Sequence, residues 1–192
     1  LPYDVEYTIN EVADADFTVN RTNVVGNIKT TGNTEAFSNE RKKGDLTISK
    51  KVFSAIPADS STKQYTFTVT LNPAPATGTS YNTTNSKGVT GSVTFNGSTT
   101  TVIVAGEDDV TISGLPVDVD YTVTEATVTD FTTTSSGTSD KITTSGKTAT
   151  FTNTRDVGNL TISKTVISPI AADATKSEQP KLAGLAGSYC NS

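Results

Sequence analysis

Residues 46–50 read "LTISK", inside "GDLTISKKV", and residues 160–164 repeat it inside "GNLTISKTV". Alternate residues of a β-strand share a face. Leu46 and Ile48 then form an apolar face, and Thr47 and Ser49 a polar one. Lys50 falls on the apolar side, followed there by Val52. Two strands that each aim a lysine at a core set the question for the whole chain.

Working outward, the repeat extends well beyond the pentapeptide. "LPYDVEYTINEV" at 1–12 aligns with "LPVDVDYTVTEA" at 115–126, and "FSNERKKGDLTISKKV" at 37–52 with "FTNTRDVGNLTISKTV" at 151–166. Glu11 maps to Glu125, Asn39 to Asn153 and Lys50 to Lys164, each 114 residues on (125 − 11, for example). The register holds through "AIPADS" and "PIAADA" and fails after about residue 179. A period of this size marks a domain rather than a solenoid turn. The expected partition is the C-terminal part of one repeat at 1–43, a complete repeat at 44–155, the first strand of a further repeat at 156–178, and an unmatched tail at 179–192. Short polar linkers with Gly, "ERKKGD" and "TRDVGN", are expected at the boundaries. The chain starts at Leu1 and contains no Met, so it reads as a fragment or processed piece.

The complete unit reads as β throughout. "YTFTVTL" sets Tyr65, Phe67, Val69 and Leu71 on one face with Thr between them. "GSVTF", "TVIVA", "VTISGL", "VDYTVTEA", a Thr/Ser-rich section around 131–142, and "TATFTNT" follow. Roughly a fifth of all residues are Thr, a β-branched residue suited to half-exposed strands. The apolar share of 33% is low, but it fills a thin sandwich when only alternate residues face inward. The expected fold is all-β: tandem immunoglobulin-like antiparallel β-sandwich modules strung as a rod, with no helix longer than a turn or two.

Composition excludes several functions. A net charge of −5 without a Lys/Arg cluster argues against a nucleic-acid partner. No apolar run has membrane-spanning length. With no His and the single Cys190, neither a zinc site nor a Ser-His or Cys-His catalytic machine is expected. "GEDDV" at 106–110 lacks the spaced oxygen ligands of a calcium loop and reads as a solvated turn. No metal and no cofactor are expected. The sequons at Asn20, Asn82 and Asn96 carry no assigned role, because such triplets arise easily in a chain rich in Thr, Ser and Asn.

Lys50 has two companions at core parity. Glu125 continues the face of Val119, Tyr121 and Val123, and Asn153 shares a face with Phe151. Taken singly, the lysine could guard an edge or snorkel to water, the glutamate could be exposed, and the asparagine could open a turn. Together they recur at fixed offsets in the partial repeats. Burying a charged Lys or Glu costs several kcal/mol unless it is paired or neutralised. In an apolar pocket an amine loses its proton more easily and a carboxylic acid holds its proton more tightly. A neutral amine is a nucleophile and the asparagine amide an electrophile. A protonated carboxyl can hydrogen-bond the asparagine carbonyl and then shuttle protons from the amine to the leaving ammonia. The product is a Lys–Asn isopeptide bond, favoured by the proximity that folding imposes. Lys51 is the rival nucleophile, but it has the opposite parity, and Thr165 replaces it in the other repeat.

On Lys50 in "LTISKKV", Glu125 in "YTVTEA" and Asn153 in "FTNTR", the chain resembles the Cna B-type and related pilin isopeptide domains of Gram-positive surface proteins. The resemblance covers roughly 1–178. It implies that Lys50 and Asn153 are the cross-linked pair and Glu125 the catalytic helper. Glu11, Asn39 and Lys164 are the equivalent positions in the partial repeats. The resemblance does not extend to a sorting signal, since "LPYDV" and "LPVDV" read as strand lead-ins.

The function so implied is a structural stalk or pilin-like repeat of an extracellular, cell-wall-anchored surface protein. Its partners are neighbouring repeats of the same chain, with any host-surface ligand held by other domains. Two alternatives stand beside it: a ligand-binding adhesin module without a cross-link, and an enzyme with turnover. The first finds no Trp and no aromatic-rich loop to support it, and the second no reusable site. Pairing of Lys164 with Asn39 in a second molecule is not expected.

Overall fold

The structure is a computed structural model, and it describes residues 1–175. Residues 1–43 contain β1 (Glu6–Asn10), β2 (Phe17–Val19), β3 (Asn23–Asn27) and β4 (Asn39–Arg41). Then follow β5 (Lys43–Phe53), a one-turn α1 (Pro57–Ser61), β6 (Gln64–Asn72), β7 (Ser80–Asn85), β8 (Thr90–Thr94) and β9 (Thr99–Ala105). The unit closes with β10 (Asp109–Pro116), β11 (Asp120–Glu125), β12 (Phe131–Ser136), β13 (Ser139–Lys141) and β14 (Lys147–Arg155). A 3-10 turn spans Ala171–Thr175.

Residues 44–155 make a two-sheet sandwich. One sheet has the order β12-β14-β5-β10-β7-β8, and the other β13-β11-β6-β9. The alternation read in the sequence drives this packing. Along β5, Leu46, Ile48, Lys50 and Val52 are buried while Lys51 and Phe53 are exposed. Tyr65, Phe67, Val69 and Leu71 of β6 face them from the opposite sheet and complete the core with Val104, Ile112 and Phe151. Each such side chain, fully buried, contributes about 1.5–3 kcal/mol. A register shift between Ile112 and Leu115 bulges β10, with Gly114 at φ 82° supplying the left-handed residue that the bulge uses.

The expectation of a purely antiparallel sandwich needs one correction. β14 runs parallel to β5, with Lys147 opposite Leu46 and Asn153 opposite Val52. The chain enters the module along β5 and leaves along β14. Two adjacent strands running the same way place entry and exit at opposite poles of the sandwich.

The expected polar linker at 40–45 is also shorter than read. Strand β4 ends at Arg41 and β5 begins at Lys43, so Lys42 alone separates them. Its backbone is held on both sides. The Lys42 N–H donates to the Asp16 carbonyl at 2.8 Å, and the Val117 N–H donates to the Lys42 carbonyl at 3.0 Å. The Arg41 guanidinium adds a bond to the Val117 carbonyl at 2.7 Å. Gly44 belongs to the same junction, because a Cβ there would lie 2.0 Å from the Thr143 carbonyl oxygen.

Strand pairing repeats with the same offset as the sequence. Glu6 lies opposite Asn27 in the β1–β3 pair, and Asp120 opposite Lys141 in β11–β13. Phe17 lies opposite Arg41 in β2–β4, and Phe131 opposite Arg155 in β12–β14. Asp4 and Asp118 share φ values of 63° and 64°. The Asp156 N–H donates to the Asp130 carbonyl at 3.0 Å, repeating the first half of the Lys42 joint.

The second "LTISK" forms no strand. Residues 156–168 carry no secondary structure, and Leu160 is 70% exposed. In the first copy β10 and β14 flank the pentapeptide, whereas no described strand pairs with the second. Local turn chemistry forms nonetheless. Ser54 Oγ donates to Asp59 at 2.5 Å and receives the Ile56 N–H at 3.0 Å. Ser168, Asp173 and Ile170 repeat this at 2.7 and 3.1 Å. The unmatched tail at 179–192, and the last residues of the 156–178 segment, lie outside the described residues.

Candidate functional site

Lys50, Asn153 and Glu125 reach one buried point from three strands. Lys50 stands on β5 and Asn153 on the neighbouring β14, so both side chains come from one sheet. Glu125 is the last residue of β11 and crosses from the facing sheet, opposite Phe67. Lys50 Nζ lies 2.8 Å from Glu125 Oε1, with the two side chains 0% and 5% exposed. Asn153 Nδ2 donates to the same Oε1 at 2.9 Å, so Glu125 meets the amide nitrogen and not the carbonyl oxygen expected from the sequence. Asn153 is itself fully buried, and its Oδ1 accepts a hydrogen bond from Thr133 Oγ1 at 2.8 Å.

The surroundings favour a neutral amine. Nζ sits 4.5 Å from the centre of the Tyr65 ring. The Phe67 and Phe151 rings pack 4.9 Å apart in the adjoining core. Burial pulls the Lys50 amine below the ordinary lysine range, while the Glu125 carboxylate, and more weakly Glu107, act in the opposite direction. Although Nζ is at ion-pair distance from Oε1, neither Nζ nor Glu125 Oε2 has a well-directed hydrogen-bond partner. The lysine nitrogen is thus close to its neighbours without being tied up by them. Burial, with the Asp59 charge behind it, pushes the Tyr65 hydroxyl up to about 12, so it stays neutral beside the amine.

A pH dependence follows. An Asn153→Ala chain keeps the Lys50 amine but has no amide for it to attack. With the folded pKa depressed below the unfolded one, the folded protein binds fewer protons between those two values. Stability attributable to Lys50 therefore rises with pH through that window and is lost as pH falls through the folded pKa. Urea midpoints of Asn153→Ala, minus those of Lys50→Met/Asn153→Ala, are expected to increase from neutral pH towards the ordinary lysine pKa. A flat difference would contradict the depressed amine.

Two further acidic residues prop up the lysine strand, Glu107 through its carboxylate and Asp108 through its backbone carbonyl, and sequence reasoning did not find this role. "GEDDV" is not the solvated turn expected. Asp108 is only 4% exposed; its carboxylate accepts from the Ser86 hydroxyl and N–H, the Asn85 amide and the Asp109 N–H. Burial alone would raise the Asp108 carboxyl, but these donors and Lys87 hold it below its ordinary value. Its backbone carbonyl takes the Lys50 N–H at 3.0 Å, and Glu107 takes the Val52 N–H at 2.5 Å. This loop fastens β5 on both sides of the lysine.

The partial copies are brought together in part. Asn39 Nδ2 donates to Glu11 Oε1 at 2.5 Å, the counterpart of the Asn153–Glu125 contact, although Asn39 is exposed. Lys164 lies in the strandless segment 156–168. Among the described residues no group of three His, Cys, Asp or Glu could hold a metal ion, and no helix is long and apolar enough to cross a membrane.

Residues 44–155 match the model of a family described as "Domain of unknown function (DUF7601)". The chain belongs to that family. No curated protein sequence matches it. Among solved structures, the DUF7601 chain is similar to the major pilin protein (T-13) of Streptococcus pyogenes. Identity there is 20%, with 80% of this chain and 67% of that one covered and a TM-score of 0.54. A second major pilin structure from Streptococcus pyogenes aligns at 20% identity, over 80% of this chain and 70% of the other, with a TM-score of 0.55. At such identities the likeness is one of fold, and the DUF7601 domain shares the all-β architecture of these pilins.

Proposed function

We propose that the DUF7601 domain is a structural, pilin-like module of a bacterial surface stalk, locked by an autocatalytic isopeptide bond between Lys50 and Asn153. The observation that carries this reading is the single oxygen, Glu125 Oε1, within 3 Å of both the lysine nitrogen and the asparagine amide nitrogen in a buried pocket. In the reaction, neutral Nζ attacks Asn153 Cγ. Its surplus proton passes through Glu125 to Nδ2, the Cγ–Nδ2 bond breaks, and ammonia leaves. The groups are consumed, so the module acts once and has no turnover.

The module partition at 44–155, with incomplete copies on either side, belongs to this reading. Its support is the shared register of the β1–β3 and β11–β13 pairs. The partners are then neighbouring modules of the same chain. The pilin fold likeness supports an extracellular, cell-surface location, with attachment to a Gram-positive wall supplied elsewhere in a longer protein.

Intact mass of the folded chain tests the proposal. The wild type is expected to be lighter than its sequence by one ammonia, and Glu125→Ala to regain the full mass while keeping its β-type circular dichroism. A wild type of full mass would refute the cross-link and bring the adhesin reading forward. A deficit of two ammonias would mean that a second lysine had found an amide.

A further inference from the structure

The reaction above places negative charge on Asn153 Oδ1 when the amine adds to Cγ, and Glu125 does not face that oxygen. Glu125 Oε1 accepts from Nδ2 and lies 2.8 Å from Nζ. The one group hydrogen-bonded to Oδ1 among the described residues is the Thr133 hydroxyl, at 2.8 Å. From this geometry we infer that Thr133 is a further catalytic residue of the cross-linking site, polarising the asparagine carbonyl and stabilising the oxyanion that forms on it. This inference rests on the isopeptide reading of the site.

Strand pairing fixes the contact. Thr133 stands opposite Asn153 in the β12–β14 ladder, so its hydroxyl is presented to the amide by backbone register rather than by a mobile loop. In the observed orientation of the amide, Nδ2 donates to Glu125 Oε1 and the Thr133 hydroxyl donates to Oδ1, an arrangement that suits an ionised Glu125, which only accepts. Glu125 and Thr133 thus divide the work. One carries the proton from nucleophile to leaving group, and the other meets the charge that develops on oxygen. Both also line an open cleft with Val128, Phe131 and Phe151.

The chain contains its own comparison. The residue opposite Asn39, in the register that puts Thr133 opposite Asn153, is Val19. A valine at this position keeps the β-branched shape and removes only the donor. The Glu11–Asn39 contact forms without that donor. Thr133→Val therefore tests the hydroxyl with a residue the same strand position already accommodates.

The experiment follows ammonia loss by intact mass after a short pulse of cell-free synthesis, in wild type, Thr133→Val and Thr133→Ser. Thr133→Val is expected to slow cross-linking on the order of 100-fold, the scale for removing one oxyanion donor. Thr133→Ser, which restores a hydroxyl, is expected to recover most of the rate. The same substitutions placed in a Lys50→Met chain, which cannot cross-link, report whether folding and unfolding midpoints are unchanged. Should the valine variant fold poorly there, Thr133→Ala takes its place. Cross-linking of a well-folded Thr133→Val chain at the wild-type rate would overturn the role of Thr133 and leave Glu125 untouched. A wild type of full mass would overturn the site reading and Thr133 with it.

Discussion

A Lys50→Met chain is expected to melt about 15–20 °C below the wild type, at a cost of about 4–5 kcal/mol of stability. The proposed bond between Lys50 and Asn153 would close a loop of about 100 residues, and the entropy such a loop removes from the unfolded chain sets the magnitude. Met fills the space of the lysine stem at Lys50, which is fully buried, without leaving an amine to desolvate. The loss therefore reports the staple rather than a cavity. Calorimetry of the two chains measures it. Equal midpoints, with the wild type shown by mass to be short of one ammonia, would sink the stabilising role of the bond.

The second large effect is mechanical. Because β5 and β14 are parallel neighbours, a pull on the two chain ends loads them lengthwise against each other. With the bond in place, tension passes from Lys50 to Asn153, and the residues between them carry none. Stretching single molecules through residues 44–155 should then release no hidden length in the wild type. Lys50→Met should release about 350 Å in one step, the extended length of about 100 residues. A wild type that also lengthens by that amount would show that force does not run through the side chains.

Much of this was legible in the residues, and the gaps have physical causes. Strict alternation in β5, β6 and β11 betrayed both strand and facing, because each has one dry side. It also exposed Lys50 and Glu125 as residues on the wrong side of that divide. Strand β12 has five exposed residues of six, so its register leaves no trace in hydropathy, and Thr133 is hidden among its like neighbours. The parallel approach of β14 to β5 joins segments about 100 residues apart and has no local signature. Asp108 looked solvated because the donors that make its burial tolerable come from Ser86 and Asn85, far along the chain. The second "LTISK" shows the reverse case: the pattern of a strand is present, but no described strand pairs with it.

The joint at Lys42 has a geometric consequence. Its N–H and its carbonyl are both engaged, one by Asp16 and the other through Val117, so neither flanking peptide can swivel without breaking a hydrogen bond. If copied in full at each boundary of a longer tandem, such a joint would turn every module by the same angle from the last. Equal turns would accumulate as the thread of a screw, and any given surface loop would recur along a helical line of fixed pitch.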